Sequence, residues 1–285
     1  MDVEVRHLRA FAAVAEARSF TAASRQLLLT QPALTRTIQQ LEGIVGVTLL
    51  ERTSRSVELT DAGRAFLTRI QAVLRDLDLA TAEARGERDL RIGFPWALPD
   101  PWAHDIISAF EAATGATGRL VRRDDIVAAL QRGDVDVAFV RHPVGDPDLT
   151  VVTLFDEPRV AAVSSRSPMA DRDRLSWNEL GEHPVVVNTQ SGSTRPELWP
   201  VAHRPRQIIE CDNYDEWITL VAADKGVGAT PLSASSTHAH AGVVFIALTD
   251  APPVSLCLVW HRQRVSALTR RFVDTAAAGR RPPRA

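Results

Sequence analysis

Apolar side chains between Val5 and Leu41 recur every three or four residues, and this spacing predicts three short helices. Ser19 or Thr21 caps the second helix, whose small residues allow another helix to approach closely. Thr30 caps the third helix, which tolerates a proline in its first turn because the missing N–H has no helical partner there. Two short helices joined by a tight turn are typical of a helix-turn-helix.

The third helix presents a polar face with small side chains. Glutamine pairs with adenine edges, alanine and threonine methyl groups contact thymine, and arginine reaches guanine or phosphate. Free N–H groups at the start of the helix can hold a phosphate. An ordinary solvated surface would look the same, so this helix alone does not decide between the two. The candidate DNA contacts are Thr30, Gln31, Pro32, Ala33, Thr35, Arg36 and Gln39.

The next segment, residues 49–60, predicts a short two-stranded wing with Thr53 to Ser56 at its tip. Arg52 and Arg55 flank the tip, where they could clasp the DNA backbone or enter a minor groove. A second group of cationic side chains favours a DNA-binding domain over an ordinary solvated surface.

A long helix is predicted after Thr60, which caps it, and Gly86 ends it. Its apolar residues are spaced 4, 3, 4, 3, 4, which is a heptad seam. About 25 residues at ~1.5 Å each give a rod of roughly 37 Å. The preceding domain looks too small to cover the seam, so we expect a dimer contact and a two-fold DNA site. The predicted contact residues are Phe66, Ile70, Val73 and Leu77.

From Asp89 onward, strand and helix patterns alternate, which predicts an α/β domain with a mainly parallel sheet. Asp124 is expected to cap the helix that ends at Gly133. Ligands in such domains bind beyond the carboxyl ends of the strands. The small donors of residues 190–194 suit a carboxylate, with Arg141 or Arg195 adding charge. The candidate effector contacts are Trp96, Arg141, Gln190, Ser191, Ser193, Thr194, Asp212 and Thr230.

Several motifs occur in order along the chain. Residues 6–63 carry H-L-R-x-F, S-F-T-x-A, T-Q-P-A-L-T-R, L-E-x-x-x-G-V-x-L-L-E-R-T and L-T-D-A-G. The second half carries L-R-I-G-F, A-L-Q-R-G-D-V-D-V-A-F-V-R and V-A-A-D-K-G-V-G-A-T-P. In these motifs the chain resembles the LysR-type transcriptional regulators along nearly its whole length.

The resemblance implies an N-terminal winged helix-turn-helix at 1–60, a linker and dimerisation helix at 61–87, and a C-terminal effector-binding domain at 88–285. That domain is expected to be α/β and similar to periplasmic binding proteins, with one subdomain of 89–161 plus 262–285 and another of 162–261. A small-molecule effector would bind between the subdomains. The resemblance also implies a dimer of dimers on a pseudo-palindromic double-stranded DNA site.

Two features limit how far a specific effector can be carried over from the family. The connection after Leu120 is shorter than is usual, and Arg122 and Arg123 stand where relatives often have small polar residues. Together with Trp96, these residues indicate a cleft of altered shape.

The composition excludes several classes of protein. The formal net charge of the 285 residues is −2, so DNA contacts must come from placed arginines and not from bulk charge. Residues 1–9 lack the apolar core of a signal peptide, and no apolar run reaches the ~18 residues of a membrane span. A cytoplasmic protein without membrane contact is therefore expected.

The chemistry-bearing residues give weaker signals. Cys211 and Cys257 could form an oxidant-sensing pair, but burial as small apolar residues is the simpler interpretation. His238 and His240 could bind a metal, but a solvated loop without a third ligand is favoured. No Ser-His-Asp grouping, glycine-rich phosphate loop or metal cluster is legible, so neither catalysis nor a cofactor is expected.

Two rival functions stay open at this point. The chain could be a small-molecule binding protein whose N-terminal helices only dimerise, and the effect on DNA affinity and its salt slope of replacing Arg52 and Arg55 with alanine discriminates between the two functions. It could also be an enzyme built on the effector-domain fold, which the missing catalytic grouping disfavours.

Overall fold

The computed structural model describes residues 2–52, 57–84 and 89–279. The chain divides into two compact units, residues 1–87 and 88–285. No helix within the described ranges combines the length and apolar character that crossing a membrane requires.

The first unit is a helical domain with a small wing. Ser19 accepts a hydrogen bond from the N–H of Ala22, and Thr30 accepts one from Ala33, so both predicted caps are confirmed. Thr60 caps the last helix through the N–H of Gly63. The elements are α1 (Val5–Ala17), α2 (Phe20–Gln26), α3 (Gln31–Val45), the antiparallel strands β1 (Leu50–Arg52) and β2 (Val57–Leu59), and α4 (Asp61–Ala84).

The core of this unit lies where α1, α3 and the start of α4 meet. Phe11, Leu34 and Ile38 are fully buried there, and the small side chain of Ala23 on α2 is buried in the same core. The helix-turn-helix is thus held by apolar side chains on the inner faces, which leaves the outer face of α3 to solvent.

The apolar residues of the heptad seam in α4 do not share one environment. Some are buried in the core of the first unit and others are exposed, which corrects the expectation that the whole seam is uncovered. The Phe66 ring lies 5.6 Å from that of Phe11, and Ile70 is only 4% exposed within the same core. The expectation that the domain is too small to cover the seam was wrong for these two residues, because α1 packs along the first half of α4. Val73 and Leu77 are 55% and 39% exposed.

The second unit is built on three β-sheets. Its elements, in chain order, are β3 (Asp89–Phe94), α5 (Trp102–Thr114), β4 (Thr117–Arg122), α6 (Ile126–Arg132), β5 (Val137–Val140), β6 (Leu149–Glu157), β7 (Arg159–Ser164), β8 (Arg174–Ser176), α7 (Trp177–Leu180), β9 (Val185–Asn188), β10 (Ile208–Cys211), α8 (Tyr214–Ala222), β11 (Gly228–Pro231), α9 (Leu232–Thr237), β12 (Val243–Thr249), β13 (Val254–His261) and α10 (Ala267–Ala278).

The sheets are mixed and not mainly parallel. In the first, of order β4-β3-β5-β13-β6, β3 runs parallel to β4 and β5, while β13 is antiparallel to both its neighbours. In the second, of order β11-β7-β12-β8, only the pairing of β12 with β8 is parallel among the described residues. β9 and β10 form a parallel pair. The predicted α/β class is confirmed, but its parallel character was overestimated because the returning strands run antiparallel.

The chain crosses between the two large sheets at positions other than those expected. β6 ends at Glu157 in the first sheet and β7 begins at Arg159 in the second, with Pro158 between them. Proline has no N–H to continue a strand ladder, so the switch falls there. β13 belongs to the first sheet, so the return lies between Thr249 and Val254. The predicted boundaries at 161 and 261 were therefore wrong, and we define the first subdomain as 89–157 with 254–279 and the second as 159–249.

Each subdomain has its own core. The aromatic rings of Phe110, Phe139 and Phe272 pack edge to face on one side of the first sheet, and α6 covers its other side. In the second subdomain the rings of Trp177 and Trp199 stack at 3.8 Å.

The start of α6 differs from the prediction. Asp125 occupies the cap position without a capping bond from its side chain, and Asp124 is not the cap. Oδ1 of Asp124 is instead buried without a hydrogen-bond partner among the described residues, and burial raises the pKa of this carboxyl.

Candidate DNA-reading surface and ligand cleft

The outer face of α3 is exposed and largely unengaged. The side chains of Gln31, Ala33, Arg36 and Gln39 are exposed, together with Thr30 and Pro32, whereas Thr35 is half-buried. Within the described residues, this face contacts another helix through the hydrogen bond that Thr21 Oγ1 donates to Gln31 Oε1, at 3.5 Å. The face can therefore meet a partner without breaking internal bonds.

The two strands of the predicted wing are present. Arg52 lies at the end of β1, where its backbone pairs with Val57. Thr53 to Ser56, including Arg55, lie outside the described residues, and the position of the Arg52 side chain is not described either. The contacts predicted for Arg52 and Arg55 stay predictions.

In the second unit, Trp96 fills the cleft between the subdomains. It follows β3 of the first subdomain, yet it is only 4% exposed and packs in a core of the second. Its ring stacks on that of Tyr214 at 5.0 Å, and its Nε1–H donates to the carbonyl of Ser191 at 3.1 Å. The carbonyl of Trp96 accepts from Nε2 of His238 at 2.8 Å.

The loop after β9 is fixed by its own hydrogen bonds. Asn188 Oδ1 accepts from the N–H groups of Gln190 and Ser191, both at 3.1 Å, and its Nδ2 donates to Ser191 Oγ. A Cβ at Gly192 would lie 2.3 Å from the Asn188 carbonyl oxygen, so only glycine fits there. Thr194 Oγ1 donates to the Ala229 carbonyl at 2.8 Å. Most side-chain groups of this loop are thus committed within the protein.

The Arg141 side chain, which we call the latch, is buried among internal partners and is not open to bind an anion. Its Nε lies 2.9 Å from Oε1 of Glu157, and both side chains are 2% exposed. Its other nitrogens donate to the Ala97 carbonyl at 2.7 Å and to Ser233 Oγ at 3.3 Å. Burial lowers the pKa of Arg141, which the charge of Glu157 opposes. The guanidinium also lies 5.0 Å from the centre of the Trp96 ring.

Arg159 is a site residue that sequence reasoning missed. It donates to the Ser193 carbonyl at 2.8 Å and to Thr194 Oγ1 at 2.9 Å, while Nε bonds to the Pro252 carbonyl. Burial lowers the pKa of Arg159 to about 10, and no carboxylate of the described residues forms an ion pair with it. An arginine at the start of an apolar strand carries no signal that separates a buried role from an exposed one.

The remaining cavity is small. Its volume of about 20 Å³ is room for about one water molecule. The hydroxyl of Tyr214 is buried beside Thr230 and has no partner of hydrogen-bonding geometry among the described residues. The cavity is lined by Trp96, Asn188, Gly192, Ser193, Thr194, Tyr214, Trp217, Ala229 and Thr230.

The rim of the cleft carries one ion pair between the subdomains. Arg122 Nη2 lies 2.7 Å from Oδ2 of Asp215, and its Nε donates to the Pro95 carbonyl at 3.3 Å. Both charged groups are substantially exposed, so the pair adds little stability. The pair places Arg122 of the shortened connection at the rim of the cleft, and the altered shape that the sequence indicated stays a prediction.

Among the described residues, the cysteines and histidines form neither a disulfide nor a metal site. Both cysteines are free, and burial raises the pKa of Cys211 to about 11 and raises that of Cys257, so neither is an activated thiolate. Among the described residues no three potential ligands converge on a metal position. The expectation of a solvated His238 was wrong, because its ring lies 4.7 Å from that of Tyr214.

His142 gives the second unit an acid sensitivity. Burial, and secondly the charge of Arg195, lowers the pKa of His142 to about 4 from an ordinary value near 6.5. The neutral ring therefore stabilises the fold fully above pH 6.5, and this contribution is lost as pH falls toward 4. By pH 5 the loss is about 2 kcal/mol. Urea unfolding at pH 7.5 and pH 5.0 should show a smaller decline for His142→Gln than for the unaltered chain. Equal declines would contradict the assignment.

Two family models match the chain. "Bacterial regulatory helix-turn-helix protein, lysR family" matches residues 5–64, and "LysR substrate binding domain" matches residues 83–281. The chain belongs to the LysR family of transcriptional regulators.

Relatives of this LysR regulator match it at nearly full length. It is 30% identical to the Hca operon transcriptional activator HcaR of Escherichia coli (strain K12), over 95% of this chain and 96% of that one. It is 31% identical to the HTH-type transcriptional regulator AlsR of Bacillus subtilis (strain 168), over 81% and 82%.

Solved structures share the fold of this chain. The crystal structure of CbnR, a LysR family transcriptional regulator, matches with a TM-score of 0.74 at 24% identity, over 98% of this chain and 100% of that one. Full-length CbnR complexed with its target DNA matches with a TM-score of 0.71 at 25% identity, over 97% and 100%. The predicted winged helix-turn-helix, linker helix and two-subdomain effector domain are confirmed as the fold class.

The LysR regulator thus has a DNA-binding head, an effector-binding domain and the oligomeric character of its family, as the sequence predicted. Its predicted cleft residues do not all converge. The cavity brings together Trp96, Ser193, Thr194 and Thr230, whereas Gln190 and Asp212 are exposed beside it. Ser191 meets the indole of Trp96 only through its carbonyl group.

Proposed function

We propose that α3 reads the DNA major groove of the regulator's target site through Gln31, Ala33, Thr35, Arg36 and Gln39. The exposed and unengaged face of α3 supports this most directly. Thr30 and Pro32 open the helix, where free N–H groups can hold a phosphate. Arg52 and Arg55 of the wing would add a contact to the backbone or a minor groove.

The expected effect of one substitution tests this proposal. Arg36→Ala should weaken binding to the DNA beside the chain's own gene by roughly fivefold to 150-fold, equivalent to ~1–3 kcal/mol, whether the lost contact is to guanine or to phosphate. A phosphate contact would also reduce the salt slope by about one. Fluorescence anisotropy over a series of salt concentrations measures both.

Arg69→Ala is the matched control, because Arg69 is an exposed arginine on α4 of the same unit. It should leave affinity almost unchanged. If both variants bound DNA like the unaltered chain, the assignment of α3 as the reading helix would fail.

We further propose that residues 1–60 bind DNA, 61–87 link and dimerise, and 88–285 bind the effector. Val73 and Leu77 would contact the second copy, since they are the exposed part of the seam. Phe66 and Ile70 would support that contact from within their own core. Two such dimers on a pseudo-palindromic site would form a tetramer.

Regulation without catalysis is the function we infer. The family consists of transcriptional regulators. Because its target is chromosomal DNA, we place the protein in the cytoplasm.

A further inference from the structure

The cleft already holds an aromatic ring, supplied by the chain itself. One face of the Trp96 indole stacks on Tyr214 with an interplanar angle of 14°, and the guanidinium of Arg141 lies 5.0 Å from the ring centre. These are the contacts that aromatic rings make with aromatic and cationic neighbours. The slot that Trp96 occupies is therefore shaped for a flat ring.

An effector cannot enter while Trp96 is in place. The free volume of about 20 Å³ holds one water molecule, whereas a cavity that binds benzene measures about 150 Å³. Removing the indole from the slot would provide the missing volume. An effector ring would consequently have to displace the Trp96 indole to enter the slot.

The charges around the cleft are unequal. Arg141 and Arg159 are both buried, and Glu157 is the buried carboxylate that faces them. Glu157 forms its ion pair with Arg141, so the two buried cations share one buried carboxylate, and Arg159 has no ion pair of its own among the described residues. A buried cation whose charge is only partly compensated is unfavourable, and an anion beside it would be stabilised.

Unused hydrogen-bonding groups lie in the same place. Within the described part of the chain, no acceptor takes the backbone N–H groups of Ser193 and Thr194, the two residues that Arg159 holds. The Tyr214 hydroxyl, which lines the cavity, is also unused. Donors backed by a cation are suited to a carboxylate.

We propose, on the basis of the regulator function above, that the effector is a flat aromatic carboxylate that displaces the Trp96 indole. Its ring takes the slot between Tyr214 and Arg141, and its carboxylate meets the Ser193–Thr194 loop with Arg159 behind it. Without effector, Trp96 stands in for the ring and keeps the cleft closed. The ligand then binds the two arrangements unequally, which an effector must do to shift them.

Isothermal titration of the full-length protein with three probes of similar size tests this proposal. Benzoate is flat and anionic, cyclohexanecarboxylate is anionic but not flat, and benzamide is flat but neutral. Trp96→Ala should bind benzoate at least tenfold more tightly than either other probe. The unaltered chain should show the same order with weaker affinities, because the indole competes for the slot.

Two further sets of variants separate the contributions. Trp102→Ala removes a buried tryptophan from the core of the first subdomain and should create no preference for benzoate. In the Trp96→Ala background, Arg159→Met should abolish the preference for benzoate over benzamide, and Arg159→Lys should retain most of it. If Trp96→Ala does not fold, Trp96→Leu and the unaltered chain provide the same comparison.

The proposal is overturned if benzoate binds no better than cyclohexanecarboxylate and benzamide, or if Arg159→Met leaves the preference intact. DNA anisotropy on the same preparations separates this failure from a failure of the proposed function. A chain that binds DNA but shows no probe preference refutes the ligand assignment alone. A chain that does not bind DNA refutes the regulator assignment.

Discussion

Glu157→Gln is expected to destabilise the second unit by about 3–5 kcal/mol, the usual effect of removing one partner of a buried ion pair. The substitution leaves the guanidinium of Arg141 buried without its counter-charge, and it also removes the nearest negative charge from Arg159. Glutamine has almost the same shape, so a cavity contributes little to the loss. Urea unfolding followed by circular dichroism measures the change.

An exposed pair provides the control. Asp89→Asn removes the partner of Arg119, whose side chain is 66% exposed, and should cost less than about 1 kcal/mol. The double variant Arg141→Met, Glu157→Leu should recover much of the stability lost in Glu157→Gln, because no charge is then left unpaired there. Similar losses for Glu157→Gln and Asp89→Asn would show that the buried pair has no special role.

The second large effect is expected at Gly63, in the first turn of α4. A Cβ there would lie 2.1 Å from the carbonyl oxygen of Leu49, which is backbone and cannot rotate away. Gly63→Ala must therefore push α4 away from the chain that leads into the wing. We expect a loss of about 3 kcal/mol or more, at the upper end of overpacking effects.

Gly43 offers a matched glycine on the neighbouring helix. A Cβ there meets nothing within 4 Å, and alanine inside a helix is favoured over glycine by up to about 1 kcal/mol. Gly43→Ala should raise the melting temperature and Gly63→Ala should lower it. Melting temperatures that shifted together would contradict the steric explanation.

The first unit was predictable because its signals are local. Ser19, Thr30 and Thr60 cap the helices that follow them, and each cap depends on a residue three positions away. The burial of Ile70 could not be predicted in this way. Its burial depends on α1, which lies more than fifty residues earlier, and a heptad spacing looks the same whether its partner is the same chain or a second copy.

The sequence predicted where the cleft lies but not which side chains fill it. The rule that ligands bind beyond the strand ends selected Trp96 and Thr230, which do line the cavity. It could not show that the indole fills the site, because that depends on Tyr214, 118 residues later in the chain. For the same reason the sequence suggested that the charge of Arg141 was available to a ligand, although Arg141 forms an ion pair with Glu157.

The crossing at Pro158 connects two parts of the cleft by the shortest covalent route. Glu157, on one side, holds the Arg141 latch, and Arg159, on the other, holds Ser193 and Thr194. Proline fixes its own φ, which removes one soft rotation from this three-residue link. We therefore expect a shift of the loop in one subdomain to move the latch in the other through Glu157, Pro158 and Arg159.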